Sequence, residues 1–576
     1  MNATAVVYSR LRVTDPAHWL ATALTWRRLA ALAGVLGAEV GPLLTRLRTS
    51  WSGSAAEAAV TRLTALGRRL TYFRVFCWRA DQALSEFAAA MTRARALLDQ
   101  ARAAARSAGL IIDDDGVVRA ATTPGAAVTG PSSAGGLSSA GGASSVPAAG
   151  APSASGGNAP SASGGSMSSA SRGSTSSAQT QTQARTQTQA QAQAQAQAAA
   201  EVAAVLAAAL EVAAGADAAA SARLAALADV PEVPAVSSFP ACTADPGDVR
   251  RWWAGFTPAQ RDWLLVTDAR ALAGAEGIPI ADRDIANRLL LEEQRRGLEA
   301  MAASGADPDR IRDLREGIDR LSSRLADDSG PRAYLVGLGL DGEGRAVVAL
   351  GDPDRASSVL THVPGMTSDL RSLGGELSRA ERVAVRSGEL GPAGSTSTVL
   401  WLDYDAPDFL HEAWSPKQAR DGAGELRRFQ EGLRATHEGD PARQTVLGHS
   451  YGSLVVGSAA AGGRLEADGL VFVGSPGVGV DSATLLGVPP DQVWSTTSRT
   501  DVIQFAKEPK GFLPGGIVPN QLFGPDRELW FGRNPSHPSF GGRVFASQPD
   551  AGHLGYWDED RPALDAMARI TLGEKP

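Results

Sequence analysis

The chain has 576 residues, is 43% hydrophobic and carries a formal charge of −7 at neutral pH. That length exceeds what one core organises and predicts about three or four units. The mild acidity, with arginines scattered rather than clustered, excludes a nucleic-acid-binding surface from the expectations. The two cysteines, Cys77 and Cys242, have neither metal-ligand nor disulfide spacing.

The first residues, Met1-Asn2-Ala3-Thr4-Ala5, lack the basic stretch and apolar core of a cleaved secretory signal. Nowhere do about 18 apolar residues run on without a charge or glutamine, so no membrane span is expected. The protein is expected to be cytoplasmic, or exported by a route that reads no cleaved signal.

Residues 16–106 predict two long helices. Trp26, Leu29, Leu32, Leu36, Val40, Leu43 and Leu47 recur at intervals of three and four, and so do Leu63, Leu66, Leu70, Phe73, Cys77, Leu84, Phe87 and Met91. Between them, Gly53 in Ser50-Trp51-Ser52-Gly53-Ser54 breaks the pattern and Ser54 can cap the next helix. So short a connection predicts an antiparallel hairpin over 1–110. With Trp51 and Gly53 at its turn, it resembles the WXG-type proteins that partner with type VII secretion systems, which implies a helical protein partner. The Tyr-x-x-x-Asp/Glu signal of those proteins is missing: Tyr72 is followed four residues later by Phe76. A hairpin that packs on itself is the competing expectation.

Residues 123–199 are rich in Gly, Ser, Ala and Pro, then alternate Gln with Thr or Ala. A tract with so few large apolar side chains cannot offset its ordering entropy, so 111–199 is expected to be a flexible tether. Residues 200–330 are expected to be a helical segment that braces or caps the C-terminal domain. Thr257 can cap a helix opened by Pro258, and Gly305 with Pro308 should split the helical stretch 289–325 in two. Asp282, Arg283, Asp284 and Arg288 read as a solvated or internally paired helix start.

After Pro331 the period changes. Residues 333–340 and 345–350 flank Asp341-Gly342-Glu343-Gly344, a hairpin signal. Strands at 358–363, 398–402, 445–447, 470–473, 493–497 and 543–546 then alternate with helices at 368–386, 417–436, 454–461 and 561–572. Such alternation predicts a mostly parallel sheet with helices on both faces, entered by an antiparallel hairpin: an α/β-hydrolase layout over 331–576.

The chemistry centres on Gly448-His449-Ser450-Tyr451-Gly452. An apolar strand runs into this Gly-x-Ser-x-Gly turn and a small-residue helix follows, which is the setting of a nucleophilic serine; a helix-capping serine in a Gly-rich turn is the competing role. In this layout the acid and then the base follow the nucleophile in chain order. Asp501 lies just past the strand 493–497 and His553 past the strand 543–546, so all three should meet at one sheet edge. Ser450 would attack a carbonyl, His553 would move its proton and Asp501 would orient the imidazole. Backbone N–H groups of Tyr451 and of Met366 or Thr367 would form the oxyanion hole. His537, His449 and His362 are weaker bases by position; Asp526 and Asp550 are weaker acids. Trp401, Tyr404, Tyr451, Tyr556 and Trp557 could line an acyl pocket or be core.

Several stretches carry a broader resemblance: Gly277-Ile278-Pro279 with Arg283-Asp284 and Asn287-Arg288; His362-Val363-Pro364-Gly365-Met366; Trp401-Leu402-Asp403-Tyr404-Asp405-Ala406-Pro407; Gly448-His449-Ser450-Tyr451-Gly452; and Gly552-His553-Leu554-Gly555-Tyr556-Trp557. From about 250 onward the chain resembles an actinobacterial α/β-hydrolase domain family of uncharacterised function, distantly similar to cutinases and lipase-like serine esterases. The resemblance implies Ser450, Asp501 and His553 as the triad and no particular substrate. Asp403 stands where such domains often carry Gly. A serine hydrolase acting on a small ester or acyl substrate, with no metal or cofactor, is expected; amide hydrolysis by the same residues and a non-catalytic scaffold serving the hairpin are the alternatives.

Overall fold

A computed structural model describes residues 3–120, 174–235, 239–241, 243–327, 329–392, 395–505 and 527–576. The chain forms two compact units, Met1–Ser9 with Leu97–Ala208, and Arg10–Ala96 with Ala209–Pro576. Boundaries at 110, 199 and 330 do not coincide with these units.

In the first unit, a small hairpin pairs Leu110–Ile112 with Val118–Ala120. The Asp113 carboxylate accepts the Val117 amide at 2.8 Å inside its turn. The tract 121–173 lies outside the described residues. Residues 174–199, expected to be part of the tether, belong instead to a helix, Ser174–Ala226. The Gln/Ala alternation explains this: both residues favour helix, and neither Gly nor Pro interrupts positions 174–214.

The expected long helices are Pro16–Ser50, in the second unit, and Ser54–Ser107, which belongs to the second unit up to Ala96 and to the first from Leu97. Asp15 caps the first helix through the Ala17 amide, with Pro16 at its first position. Gly53, at φ +102, makes the turn. Trp19 meets Phe87 and Trp26 meets Phe76 edge-on at 5.3 and 5.5 Å, so the helices run antiparallel. Toward the turn, Leu32, Val35, Leu36, Leu43, Trp51, Leu66 and Phe73 stay exposed. By length and composition alone, Pro16–Ser50 and Arg185–Ala226 are apolar enough to cross a membrane.

The other end of the hairpin is built into the rest of this unit. Cys77 and Trp78 pack with Trp253, Leu264, Ile278 and Ile285 in one core. A buried chain of charges runs beside it. Arg27 pairs with Asp81 at 3.0 Å, Asp81 with Arg332 at 3.0 Å, Arg332 with Asp284 at 3.1 Å and Asp284 with Arg288 at 2.7 Å. None of these side chains is more than 8% exposed. The helix start at 282–288 is therefore internally paired and not solvated. Asp284 also accepts the Leu335 amide at 2.8 Å, which ties the seam to the sheet.

The sheet has eight strands: β1 Ala333–Gly339, β2 Arg345–Leu350, β3 Ser358–Val363, β4 Thr396–Leu402, β5 Arg443–His449, β6 Gly469–Val473, β7 Val493–Thr496 and β8 Arg543–Val544. Their order is β8-β7-β6-β5-β3-β4-β2-β1. Strands β3 to β8 are mutually parallel, and β2 runs antiparallel to both its neighbours. Successive residues point to opposite faces. Val359 and Val446 pack under the helices Lys417–Thr436 and Gly452–Ala461, through Leu426, Phe429, Val455 and Ala459. Leu360, Leu447 and Val471 pack under Leu373–Leu390 and Pro562–Thr571, through Val383, Leu564 and Met567. With both faces covered, the parallel strands read as continuous apolar runs.

Candidate active site

Ser450 lies between the end of β5 and the helix Gly452–Ala461, at φ 53. A left-handed backbone is costly for a residue with a Cβ and persists only where its surroundings impose it. Here they do. A Cβ at Gly448 would stand 2.6 Å from the Ser453 Cα, and one at Gly452 would stand 2.3 Å from the Val363 carbonyl oxygen. The Ser450 amide donates to the Val473 carbonyl at 2.9 Å. The loop after β3 presses on the serine from above: a Cβ at Gly365 would be 2.7 Å from Ser450 Cβ and 3.2 Å from its Oγ. Tyr404 holds that loop by donating to the Pro364 carbonyl at 2.7 Å.

Asp501 follows β7 and is fully buried. His553 Nδ1 lies 2.7 Å from its Oδ1, which also accepts the Ile503 amide at 2.9 Å. The loops bearing Asp501 and His553 are laced together. Ser498 Oγ and the Thr500 amide both donate to the Pro549 carbonyl, at 2.9 and 3.1 Å, and the Gly552 amide donates to Thr500 Oγ1 at 3.0 Å. Gly474, at φ +54, closes the arrangement: a Cβ there would be 2.7 Å from Asp501 Oδ2 and 3.2 Å from His553 Nδ1. The serine thus hangs on Val473, and the Asp501–His553 pair sits on the next residue. Among the described residues, Ser450 Oγ forms no hydrogen bond to the imidazole.

His449, next to the serine, packs its ring 4.8 Å from that of His553. Its Nε2 donates to the His553 carbonyl at 3.0 Å, and burial, then the neighbouring His553, push its pKa well below the usual range. It is a neutral tether for the base loop. His362 stacks on Trp557 at 5.5 Å, and burial, then Arg379, lower its pKa to about 3. His537 caps the short turn Pro538–Phe540. Asp550 is exposed and paired with Arg561 at 2.8 Å. Asp526 lies outside the described residues.

The expected oxyanion donors divide. Among the described residues the Tyr451 and Met366 amides donate to no protein group, whereas Thr367, in a left-handed turn at φ 60, donates its amide to the Pro407 carbonyl at 2.9 Å. Thr367 is corrected on that ground: its N–H is already engaged. The aromatic set is also core and not a pocket wall. Trp401, Tyr404, Tyr451, Tyr556 and Trp557 are all buried, and Trp401 stacks on Tyr404 with planes 5° apart. What the sequence did not disclose is that Tyr556 donates to Asp501 Oδ2 at 2.5 Å; its only trace was a tyrosine three positions after the base.

Among the described residues no group of three or more His, Cys, Asp or Glu could hold a metal ion. A cavity of about 350 Å³ lined by Arg79, Asp262, Asp282, Asp352, Arg355 and Glu438 lies elsewhere. Residues 352–355 precede β3, whereas Ser450 follows β5, so parallel strands put the two at opposite edges of the sheet. Within it Arg79 pairs with Asp262 and Asp282, and Arg355 with Glu438.

Residues 341–510 match a family model described as alpha/beta hydrolase. The uncharacterized protein Rv2079 of Mycobacterium tuberculosis is 28% identical over 367 residues, 57% of this chain and 55% of that protein. The uncharacterized protein Rv0963c of the same species is 34% identical over 194 residues, 32% of this chain and 70% of that protein. The chain therefore spans about half the length of Rv2079. Among solved structures, a mutant of the esterase rPPE aligns at 15% identity over 48% of this chain and 93% of its own, with a TM-score of 0.26. A thermostable esterase from Pseudomonas putida aligns at 14% identity over the same shares, with a TM-score of 0.25.

Proposed function

This chain belongs to the α/β-hydrolase family, and we propose that it is a serine hydrolase cleaving carboxylic esters through an acyl-enzyme. Ser450 Oγ attacks the ester carbonyl while His553 Nε2 takes its proton, and the oxyanion is held by the Tyr451 and Met366 amides. His553 returns the proton to the departing alkoxide, then activates a water that releases the acid. Asp501 keeps the imidazole in the tautomer with Nδ1 protonated, leaving Nε2 free to accept.

One observation carries this reading: the left-handed Ser450 and the 2.7 Å Asp501–His553 pair attach to consecutive residues, Val473 and Gly474. The test is turnover of p-nitrophenyl esters of graded chain length, with wild type beside Ser450→Ala and His553→Ala, together with phosphonate labelling. Turnover and labelling that both vanish in Ser450→Ala support it. Labelling without turnover of any ester moves the substrate class to amides.

The alternative is a scaffold that works through the helical hairpin and a helical protein partner. It is favoured by the apolar side chains exposed near the hairpin turn, Leu32, Leu36, Leu43, Leu66 and Phe73. A folded protein whose Ser450 never labels decides for it.

A further inference from the structure

The turn that carries His553 carries a second group aimed at the same acid. Gly555–Trp557 is one 3-10 turn, and its central Tyr556 is fully buried. The phenol donates to Asp501 Oδ2 at 2.5 Å and accepts the Ser498 amide at 2.8 Å. Because Ser498 takes up the acceptor side, the phenolic hydrogen has one destination. The two oxygens of one carboxylate are therefore held by two side chains three residues apart, His553 on Oδ1 and Tyr556 on Oδ2.

This grip has a mechanical meaning. A carboxylate bonded at one oxygen can turn about its Cβ–Cγ bond and lose alignment with the imidazole. Bonded at both, it cannot. Gly474 backs the Oδ2 side so closely that a Cβ there would be 2.7 Å from that oxygen. Burial, then the adjacent carboxylate, push the phenol's pKa upward, so it stays a donor.

We infer that Tyr556 is a positioning residue for the proposed hydrolysis, fixing the Asp501 carboxylate in the orientation that aligns His553. The inference rests on the serine-hydrolase reading. Tyr556 touches no reacting atom and acts only through the acid.

The experiment is Tyr556→Phe in the full chain, assayed on a p-nitrophenyl ester and normalised to phosphonate-titrated sites. The expected result is a fall in kcat of about 10-fold with KM unchanged, the scale of losing one charge-assisted hydrogen bond. The acid limb of the pH profile should move upward, because a carboxylate relieved of one donor holds the imidazolium more tightly. In an Asp501→Asn background the same substitution should cost nothing further. A Tyr556→Phe variant with wild-type kcat per titrated site and an unmoved pH limb, beside an inactive His553→Ala, overturns the inference and leaves the hydrolase reading standing. An additive loss in the Asp501→Asn background overturns it as well, since the phenol would then act elsewhere. Full turnover in both Ser450→Ala and His553→Ala removes the hydrolase reading itself, and the inference with it.

Discussion

Two buried polar clusters lie in the same compact unit and are put to opposite use. The seam of Arg27, Asp81, Arg332, Asp284 and Arg288 alternates cation and anion until every charge faces its opposite. The cluster at the sheet edge is satisfied only on one side. Asp501 is gripped at both oxygens, yet among the described residues the second nitrogen of His553 has no hydrogen-bond partner, and Ser450 keeps a left-handed backbone. A closed network specifies a structure; one left open by a single proton acceptor can do chemistry. Removing one partner from the first strands a buried charge, while on the proposed function removing a group from the second should abolish turnover and leave packing nearly intact.

The largest effect should come from the open cluster. Ser450→Ala and His553→Ala are each expected to lower ester turnover by at least about 10³-fold, with an unchanged thermal midpoint in the same preparations. Equal losses of activity and stability would erase the contrast. At the seam, Asp81→Ala should cost about 3–5 kcal/mol by leaving the buried Arg27 without its carboxylate and Arg332 with Asp284 alone, read in urea unfolding of the full chain. Activity per phosphonate-titrated site should survive.

Between these lies Gly474→Ala. Its Cβ would collide with Asp501 Oδ2 at a left-handed position, so turnover should fall by roughly 10–100-fold for about 1–3 kcal/mol of strain. Wild-type kcat in that variant would mean that the acid and base tolerate displacement.

The smallest effect is a matter of sign. Asp81 is buried, yet Arg332 and Arg27 hold its pKa below the ordinary range. Its contribution is therefore present above the unfolded carboxylate range and lost only as pH falls through the depressed value. Asp352, in the charged cavity, is the reverse: burial, then Glu86, raise it to about 7. Folding favours its protonated form, so it destabilises increasingly as pH rises from the unfolded carboxylate range toward about 7. Asp352→Asn should raise the melting temperature at pH 8 and lose that gain by pH 4. A gain that persists at pH 4 would show the carboxylate's charge to be irrelevant.

Much of the fold was legible because period and punctuation agreed. The helix over 417–436 falls at Lys417–Thr436 as expected, and β3 falls at Ser358–Val363. Gly305 and Pro308 split the long helix where they should. That Asp501 and His553 would meet was legible because chain order and sheet topology constrain which residues can share an edge. Other features had no local signal. That Asp81 would meet Arg332 depends on the hairpin's second helix docking against the segment that enters β1, 251 positions away. That Thr367 would lose its amide to Pro407 depends on how two loops cross. Composition misleads at 174–199, where low complexity suggests disorder although the residues are good helix formers.

The seam also sets an order of assembly. Asp81 and Arg332 are separated by 251 positions, and a ribosome adds about 5–20 residues per second. The hairpin therefore emerges with Asp81 opposite Arg27 alone, and roughly 13–50 s pass before Arg332 is synthesised. During that interval the surface later buried against residues 253–286 is open to water, to chaperones and to other nascent copies. Synthesis rate, and not only the final contacts, thus bears on how much of the chain reaches its folded form.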